Sequence, residues 1–395
     1  MSLGRCAAGH SLEHKLDMAQ KYGYHGIELF HDDLLDVAAR LHPAAAPAGE
    51  PSPTAQLLAA EHIAQLCRAR RLHIVCLQPL MHYEGLADRA AHARALHKLR
   101  LWIRLVRALG TDLIQIPSTF LPAARLAADD DHGTFLDLAV ADLREAADLG
   151  LAASEPALGL GPVRFAYESL AWGTRVDVWE RCWDVVRRVD RPNLGICLDT
   201  FHIAARLFAD PTAPDGRTGP DAEERVRRST AALIRQLDVA KLFYVQVVDG
   251  ARLGRPLVDG HPFHDRQQHP RMSWSRNCRL FYGEDDRGAY MPVKEIARAI
   301  FQGLGFEGWP ARAYCATFVA EKDNAVDIVT KTDEAVEALI KDAISTKYPE
   351  HDFVGERPVA GNCILASDQQ DLWPRRPGDR DRRGWPAKDG AVQKS

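Results

Sequence analysis

Short apolar runs rich in β-branched and aromatic residues alternate along the chain with longer stretches of helical period. The runs predict strands over 26–30, 72–77, 112–116, 163–167, 193–198 and 242–248, because four to eight apolar residues bounded by turn residues suit a strand buried on both faces. The amphipathic stretches predict helices over 12–22, 55–70, 87–109, 135–149, 176–189, 222–237 and, after a long loop, 293–304. Strand and helix alternating in this way is the pattern of βα units around a parallel sheet. Six or seven such units favour a (β/α)8 barrel, an architecture of about 250 residues. A doubly wound open sheet is the competitor, but no GxGxxG follows the first strand, which removes its nucleotide-binding variant.

Both ends of the barrel look altered. Only Met1, Ser2 and Leu3 precede the Gly4-Arg5 break, so the barrel's first strand is nearly absent. The Pro/Ala-rich stretch 42–53 reads as a surface insertion. The segment 371–395, dominated by Arg, Asp, Pro and Gly, reads as a disordered tail. Its local basicity comes with few aromatics, which favours a solubilising end over a nucleic-acid arm.

Composition narrows the class. At 395 residues with 46% hydrophobic and 26% charged positions and a net charge of -4, the chain is a globular protein with no bias toward nucleic acid. No apolar run approaches the ~18 residues that span a bilayer, and the start lacks a signal peptide's apolar stretch, so the expected compartment is the cytoplasm. The 8 cysteines show no CxxC spacing and are expected to be reduced.

In a barrel the carboxyl ends of the strands converge on one face, so polar residues there are the candidates for chemistry. They are Glu28 and His31, Gln78 followed by His82 and Glu84, Gln115, Glu168, Asp199 with His202, and Gln246 with Asp249. A carboxylate ending an apolar strand, as Glu168 does, either reaches solvent or needs a cation. Asp199 is either a helix N-cap or a ligand, with His202 three residues on. Gln246 interrupts an apolar strand and needs a hydrogen-bond partner or a cation for its carbonyl oxygen. Glu168, Asp199 and Gln246 together supply hard oxygen ligands from successive strands, which favours Mg²⁺ or Mn²⁺. An octahedral ion needs further oxygens, so an acidic ligand is expected on the eighth strand. The segment 249–287 carries Arg252, Arg255, His261, His264, Arg266, His269, Arg271, Arg276 and Arg279, which either clamp an anionic substrate or form a solvated loop.

These residues resemble a known family. The strings Lys21-Tyr22-Gly23-Tyr24-His25-Gly26-Ile27-Glu28-Leu29-Phe30-His31, Leu198-Asp199-Thr200-Phe201-His202 and Leu280-Phe281-Tyr282-Gly283-Glu284, with Ser2 to Cys6 and His10 to Leu12, are similar to the fungal-type 3-dehydroshikimate dehydratases over about residues 1–309. The resemblance implies a xylose-isomerase-like TIM barrel and a divalent-metal hydro-lyase that forms protocatechuate from the small molecule 3-dehydroshikimate in quinate and shikimate catabolism. It also implies Glu168, Asp199 and Gln246 as metal ligands, His202 as the proton-transferring histidine, and Ser275 and Arg279 as substrate contacts. Family members carry a ligand glutamate on the eighth strand; here Pro310 opens that stretch and Ala313 stands near the carboxylate's place.

Beyond that point 310–360 resembles something else. Asn324 to Asp333 and Tyr348 to Glu356 look like the start of the inositol-monophosphatase family, without its Asp-Pro-x-Asp-Gly metal motif, so phosphatase activity is not expected. Val336, Leu339, Ile340 and Ile344 recur at helical spacing. The domain reading is therefore a barrel over 1–309, an appended segment over 310–360 and a tail over 361–395, the product of two joined neighbouring genes. Two other functions stay open: a sugar isomerase or epimerase of the same superfamily, and a catalytically impaired barrel kept as a binding protein.

Overall fold

The computed structural model describes residues 9–43, 49–129 and 133–308. Six parallel strands form one sheet in chain order: β1 (Gly26–Phe30), β2 (His73–Gln78), β3 (Leu113–Pro117), β4 (Arg164–Glu168), β5 (Leu194–Asp199) and β6 (Leu242–Gln246). Around them run α1 (Leu12–Lys21), α2 (His31–Leu41), α3 (Pro53–Ala69), α4 (Arg89–Leu109), α5 (Thr134–Ala152), α6 (Trp179–Val189), α7 (Thr200–Leu207) and α8 (Ala222–Gln236). A two-stranded antiparallel ribbon, β7 (Asp249–Gly250) with β8 (Arg279–Leu280), encloses α9 (Pro270–Cys278), and α10 (Val293–Arg298) closes the described chain with a π-turn over Ala299–Gly303. The sheet curls into the greater part of a barrel. The expected first strand, the altered eighth strand with Pro310 and Ala313, the appended segment and the tail lie outside the described residues, as does part of the expected insertion, 44–48.

The helices begin where the sequence offers caps. Ser11 accepts from the His14 amide at 3.2 Å, Ser52 from Ala55 at 3.2 Å with Pro53 as the first helical residue, and Asp88 from Ala90 at 2.8 Å. Pro53, expected at the end of an insertion, thus starts α3. Their apolar faces meet the outer face of the sheet in one continuous core that includes Trp102, Trp179 and Trp274.

The inner face decides where the site lies. Strand residues two apart share a face, and Cys76, Leu113, Ala166, Cys197 and Tyr244 form a separate packed cluster inside the barrel, one from each of β2 to β6. Two residues further along those strands stand Gln78, Gln115, Glu168, Asp199 and Gln246, and Glu28 occupies β1. The sheet register keeps these ends level, pairing Phe30 with Gln78, Pro117 with Glu168 and Asp199 with Gln246. An apolar layer therefore carries a polar layer directly above it, at the carboxyl end. The β7–β8 ribbon approaches this layer closely: a Cβ on Gly250 would stand 2.7 Å from Trp274 and 3.0 Å from Phe201, and Gly250 pairs with Arg279.

Two buried carboxyls outside the polar layer make stability pH-dependent. Glu84 Oε1 accepts from the Thr119 amide at 2.7 Å and the Tyr167 hydroxyl at 3.0 Å, while Asp249 Oδ1 accepts from the Gly250 amide at 2.7 Å and the Met291 amide at 3.1 Å. Burial pushes both carboxyls up to about 7. Their folded values lie above the unfolded ones, so the folded state holds more protons across the interval up to about 7, and stability falls as pH rises through it. The buried His31 imidazole, lowered to about 3, acts in the opposite sense but below its ordinary range. Melting curves between pH 6 and 7.5 should therefore show a loss of about 1 kcal/mol per carboxyl, and Glu84→Gln, which keeps the accepting oxygen, should flatten that slope.

Candidate active site

Glu168 ends β4 and Asp199 ends β5, while His202 lies in the first turn of α7; all three are buried. One ligand atom from each lies within 4.8 Å of the others. His202 Nε2 is 3.8 Å from Glu168 Oε1 and 3.6 Å from Asp199 Oδ2. The N-cap reading of Asp199 holds, on one of its two oxygens. Its Oδ1 caps α7 by accepting from the Phe201 amide at 2.7 Å, and its Oδ2 faces the cluster. The α7 helix thereby ties the orientation of Asp199 to the position of His202.

Each member is held by a partner. Glu168 Oε2 accepts from Gln115 Nε2 at 2.5 Å. His202 Nδ1 accepts from the Ala171 amide at 3.0 Å, which turns Nε2 toward the carboxylates. The ring packs edge-on to Trp172 at 4.9 Å. Gln246 Nε2 donates to Glu28 Oε2 at 2.8 Å, and Gln78 Nε2 donates to the same oxygen at 2.7 Å. Gln246 thus belongs to the same layer but reaches across the barrel to β1.

Arg279, the first residue of β8, is the cation of the site. Its Nη1 donates to Asp199 Oδ2 at 2.8 Å, Nη2 lies 3.0 Å from His202 Nε2, and Nε donates to Ser275 Oγ at 2.9 Å. The guanidinium stacks on Phe201 at 4.4 Å. Ser275, one turn earlier on α9, therefore meets the guanidinium itself. Among the basic residues expected to form a clamp, Arg279 is the one that bonds to the cluster. Arg271 donates to the Ala205 carbonyl at 2.7 Å behind α7, Arg266 pairs with exposed Asp259 at 2.6 Å, and Arg276 donates to Gln268 at 2.9 Å. These three make structural or solvated contacts.

Charge in the layer is unbalanced. Glu28, Glu168 and Asp199 are buried together with one guanidinium, an excess of two formal negative charges among these residues. Burial, and then the charge of Asp199, push the Glu168 carboxyl well above the usual carboxylate range. Burial also raises Glu28 to about 7. Burial works against ionised Asp199, yet the Arg279 guanidinium and His202 hold its carboxyl below its ordinary value. Burial lowers His202 to about 3, so its ring is neutral at neutral pH. Two carboxylates and an imidazole within 4.8 Å, in an acidic layer of oxygen donors, fit a divalent cation.

A family model described as the xylose isomerase-like TIM barrel matches residues 16–315. A 3-dehydroshikimate dehydratase of Neurospora crassa is 60% identical over 309 residues, covering 78% of this chain and 82% of that protein. The chain belongs to the xylose isomerase-like TIM barrel family, among the 3-dehydroshikimate dehydratases. A solved structure of the IOLI protein with a bound zinc atom shares the barrel fold at 15% identity and a TM-score of 0.51, covering 86% of this chain and 95% of that one. The end of the chain has a different relationship. The inositol monophosphatase family model matches residues 305–373, and the quinic acid degradation cluster protein x of Neurospora crassa is 70% identical over 40 residues, 10% of this chain and 12% of that protein.

The residues that surround the cluster, Glu28, Gln78 and Gln115, were visible in the sequence as strand-end polar groups. Nothing in their spacing says which partner each would take.

Proposed function

We propose that this chain is a metal-dependent hydro-lyase that converts 3-dehydroshikimate to protocatechuate and water in quinate and shikimate catabolism in the cytoplasm. The observation that carries the reading is the buried Glu168, Asp199 and His202 cluster in a chain 60% identical to a protein named for this activity. Glu168, Asp199 and Gln246 are the proposed ligands of Mg²⁺ or Mn²⁺, His202 the proton-transferring residue, and Ser275 and Arg279 the substrate-side pair. A bound divalent ion would polarise the substrate ketone, making the adjacent C–H acidic.

The protein's own groups supply the rest. His202 Nε2, held toward the reacting centre by the Ala171 amide on Nδ1, is the atom at which a proton is exchanged. The reaction removes one proton next to the ketone and expels hydroxide from the neighbouring carbon, forming a C=C bond and one water, and the ketone then enolises to complete the aromatic ring. Arg279 offers a planar fork suited to the substrate carboxylate, with Ser275 Oγ fixing its Nε edge. The aromatic faces of Trp172 and Phe201 beside His202 keep bulk water from the ring.

The domain reading accompanies this one: a barrel over 1–309, an appended segment over 310–360 and a tail over 361–395. The full chain incubated with 3-dehydroshikimate and Mn²⁺ or Mg²⁺ should form protocatechuate, read by its ultraviolet absorbance, and chelation with EDTA should abolish it. Interconversion of a ketose with no protocatechuate would favour a superfamily isomerase instead. Metal binding without any turnover would favour the impaired barrel that Ala313 raises.

A further inference from the structure

Glu28 lies on β1, at the far side of the sheet from β6, and is 1% exposed. Its Oε2 accepts from Gln246 Nε2 at 2.8 Å and Gln78 Nε2 at 2.7 Å, while its Oε1 has no hydrogen-bond partner. Glu28 is not among the three residues whose ligand atoms lie within 4.8 Å of one another. Its side-chain hydrogen bonds run instead to Gln246 and Gln78.

A glutamine amide has two ends of nearly equal shape and opposite polarity, so its orientation is set by its neighbours. An ionised carboxylate oxygen has no proton to give, so Glu28 Oε2 can only accept from Gln246, as it does from Gln78. It selects the NH₂ end of Gln246, and the carbonyl oxygen is left at the other end of the amide. The reversed amide would set two oxygens against each other at Glu28 and present N–H groups to a cation. We infer that Glu28 is a positioning residue that fixes the amide of Gln246 with its carbonyl oxygen available to the divalent ion. This rests on the reading of Gln246 as a metal ligand.

The relay links β1, β2 and β6 through one carboxylate oxygen, across 218 residues of sequence. It gives the site an outer partner of the kind whose loss lowers metal affinity by ~10–100-fold. Glu28→Gln preserves shape but lets the facing amides pair in either sense.

The test is a Mn²⁺ titration of the full chain without substrate, following the free-ion electron paramagnetic resonance signal, with melting curves in EDTA alongside. Glu28→Gln should weaken Mn²⁺ binding by at least about 10-fold while melting at or above the wild-type temperature. The reciprocal pair Glu28→Gln with Gln246→Glu should restore most of the affinity, because the amide introduced on β1 then donates to a carboxylate on β6 whose second oxygen faces the ion. Gln78→Met, which leaves the Gln246 bond intact, should bind like the wild type. Equal Mn²⁺ affinity in wild type and Glu28→Gln overturns the inference, as does a weakening that the reciprocal pair does not reverse. A wild-type chain that takes up no Mn²⁺ overturns both this inference and the metal reading beneath it.

Discussion

Glu168→Gln should slow protocatechuate formation by on the order of 10³-fold while leaving the fold intact or more stable in EDTA. The opposite directions follow from one fact. Glu168 is fully buried, beside Asp199 and away from any directly bonded cation, so burial holds its carboxyl well above the usual range. Removing that charge relieves a folded-state penalty. A glutamine fills the same volume and its carbonyl can still accept from Gln115 Nε2, which now donates at 2.5 Å. What it lacks is the negative charge that draws a divalent ion into the cluster. Initial rates by ultraviolet absorbance and melting temperatures in chelator would check both parts, and a rate within tenfold of wild type would remove Glu168 from the reacting centre.

Arg279→Met should destabilise the metal-free protein by about 3–5 kcal/mol, the usual effect of stripping one partner from a buried pair. Asp199 loses its 2.8 Å donor, and Glu168 loses the nearest cation that offsets its burial. The methionine keeps much of the apolar stem that packs on Phe201. In the proposed site the divalent ion would compete with the guanidinium for Asp199 Oδ2, so the variant should regain more melting temperature from added Mn²⁺ than the wild type does. Activity should stay low even with the ion, because the fork proposed for the substrate carboxylate is gone. Unchanged melting in EDTA would contradict this electrostatic account of Arg279.

The inner polar layer was legible because its signal is local. Cys197 and Asp199, Ala166 and Glu168, Tyr244 and Gln246 each sit two apart on an apolar run, so strand alternation alone puts them on one face. Most strand ends shifted by a single residue, as in β3 at Leu113–Pro117 against the expected 112–116, while β6 stops at Gln246, two residues short of the expected end. Three helices were missed for identifiable reasons. The α2 helix starts at His31 directly from β1 with no side-chain cap, so the residue expected to end a strand begins a helix. The α7 helix has 8 residues, too short to show a period. The α9 helix buries Ser273 and Ser275 along with Met272 and Trp274, so its inward face does not read as apolar.

Pairings across the barrel were not legible. Glu28 to Gln246 and Arg279 to Asp199 depend on strand curvature and on the ribbon seated by Gly250, neither of which leaves a spacing in the sequence. The same holds for the basic loop, where charge left a clamp and a solvated loop open and did not say that Arg271 turns to a backbone carbonyl and Arg266 to an exposed acid.

The most direct measurement is the number of Mn²⁺ ions held by the purified full chain after equilibrium dialysis, compared with the double variant Glu168→Gln, Asp199→Asn. One ion per wild-type chain and none in the variant is the expected result. Wild-type protein that retains no ion, or a variant that retains as much as the wild type, would contradict it.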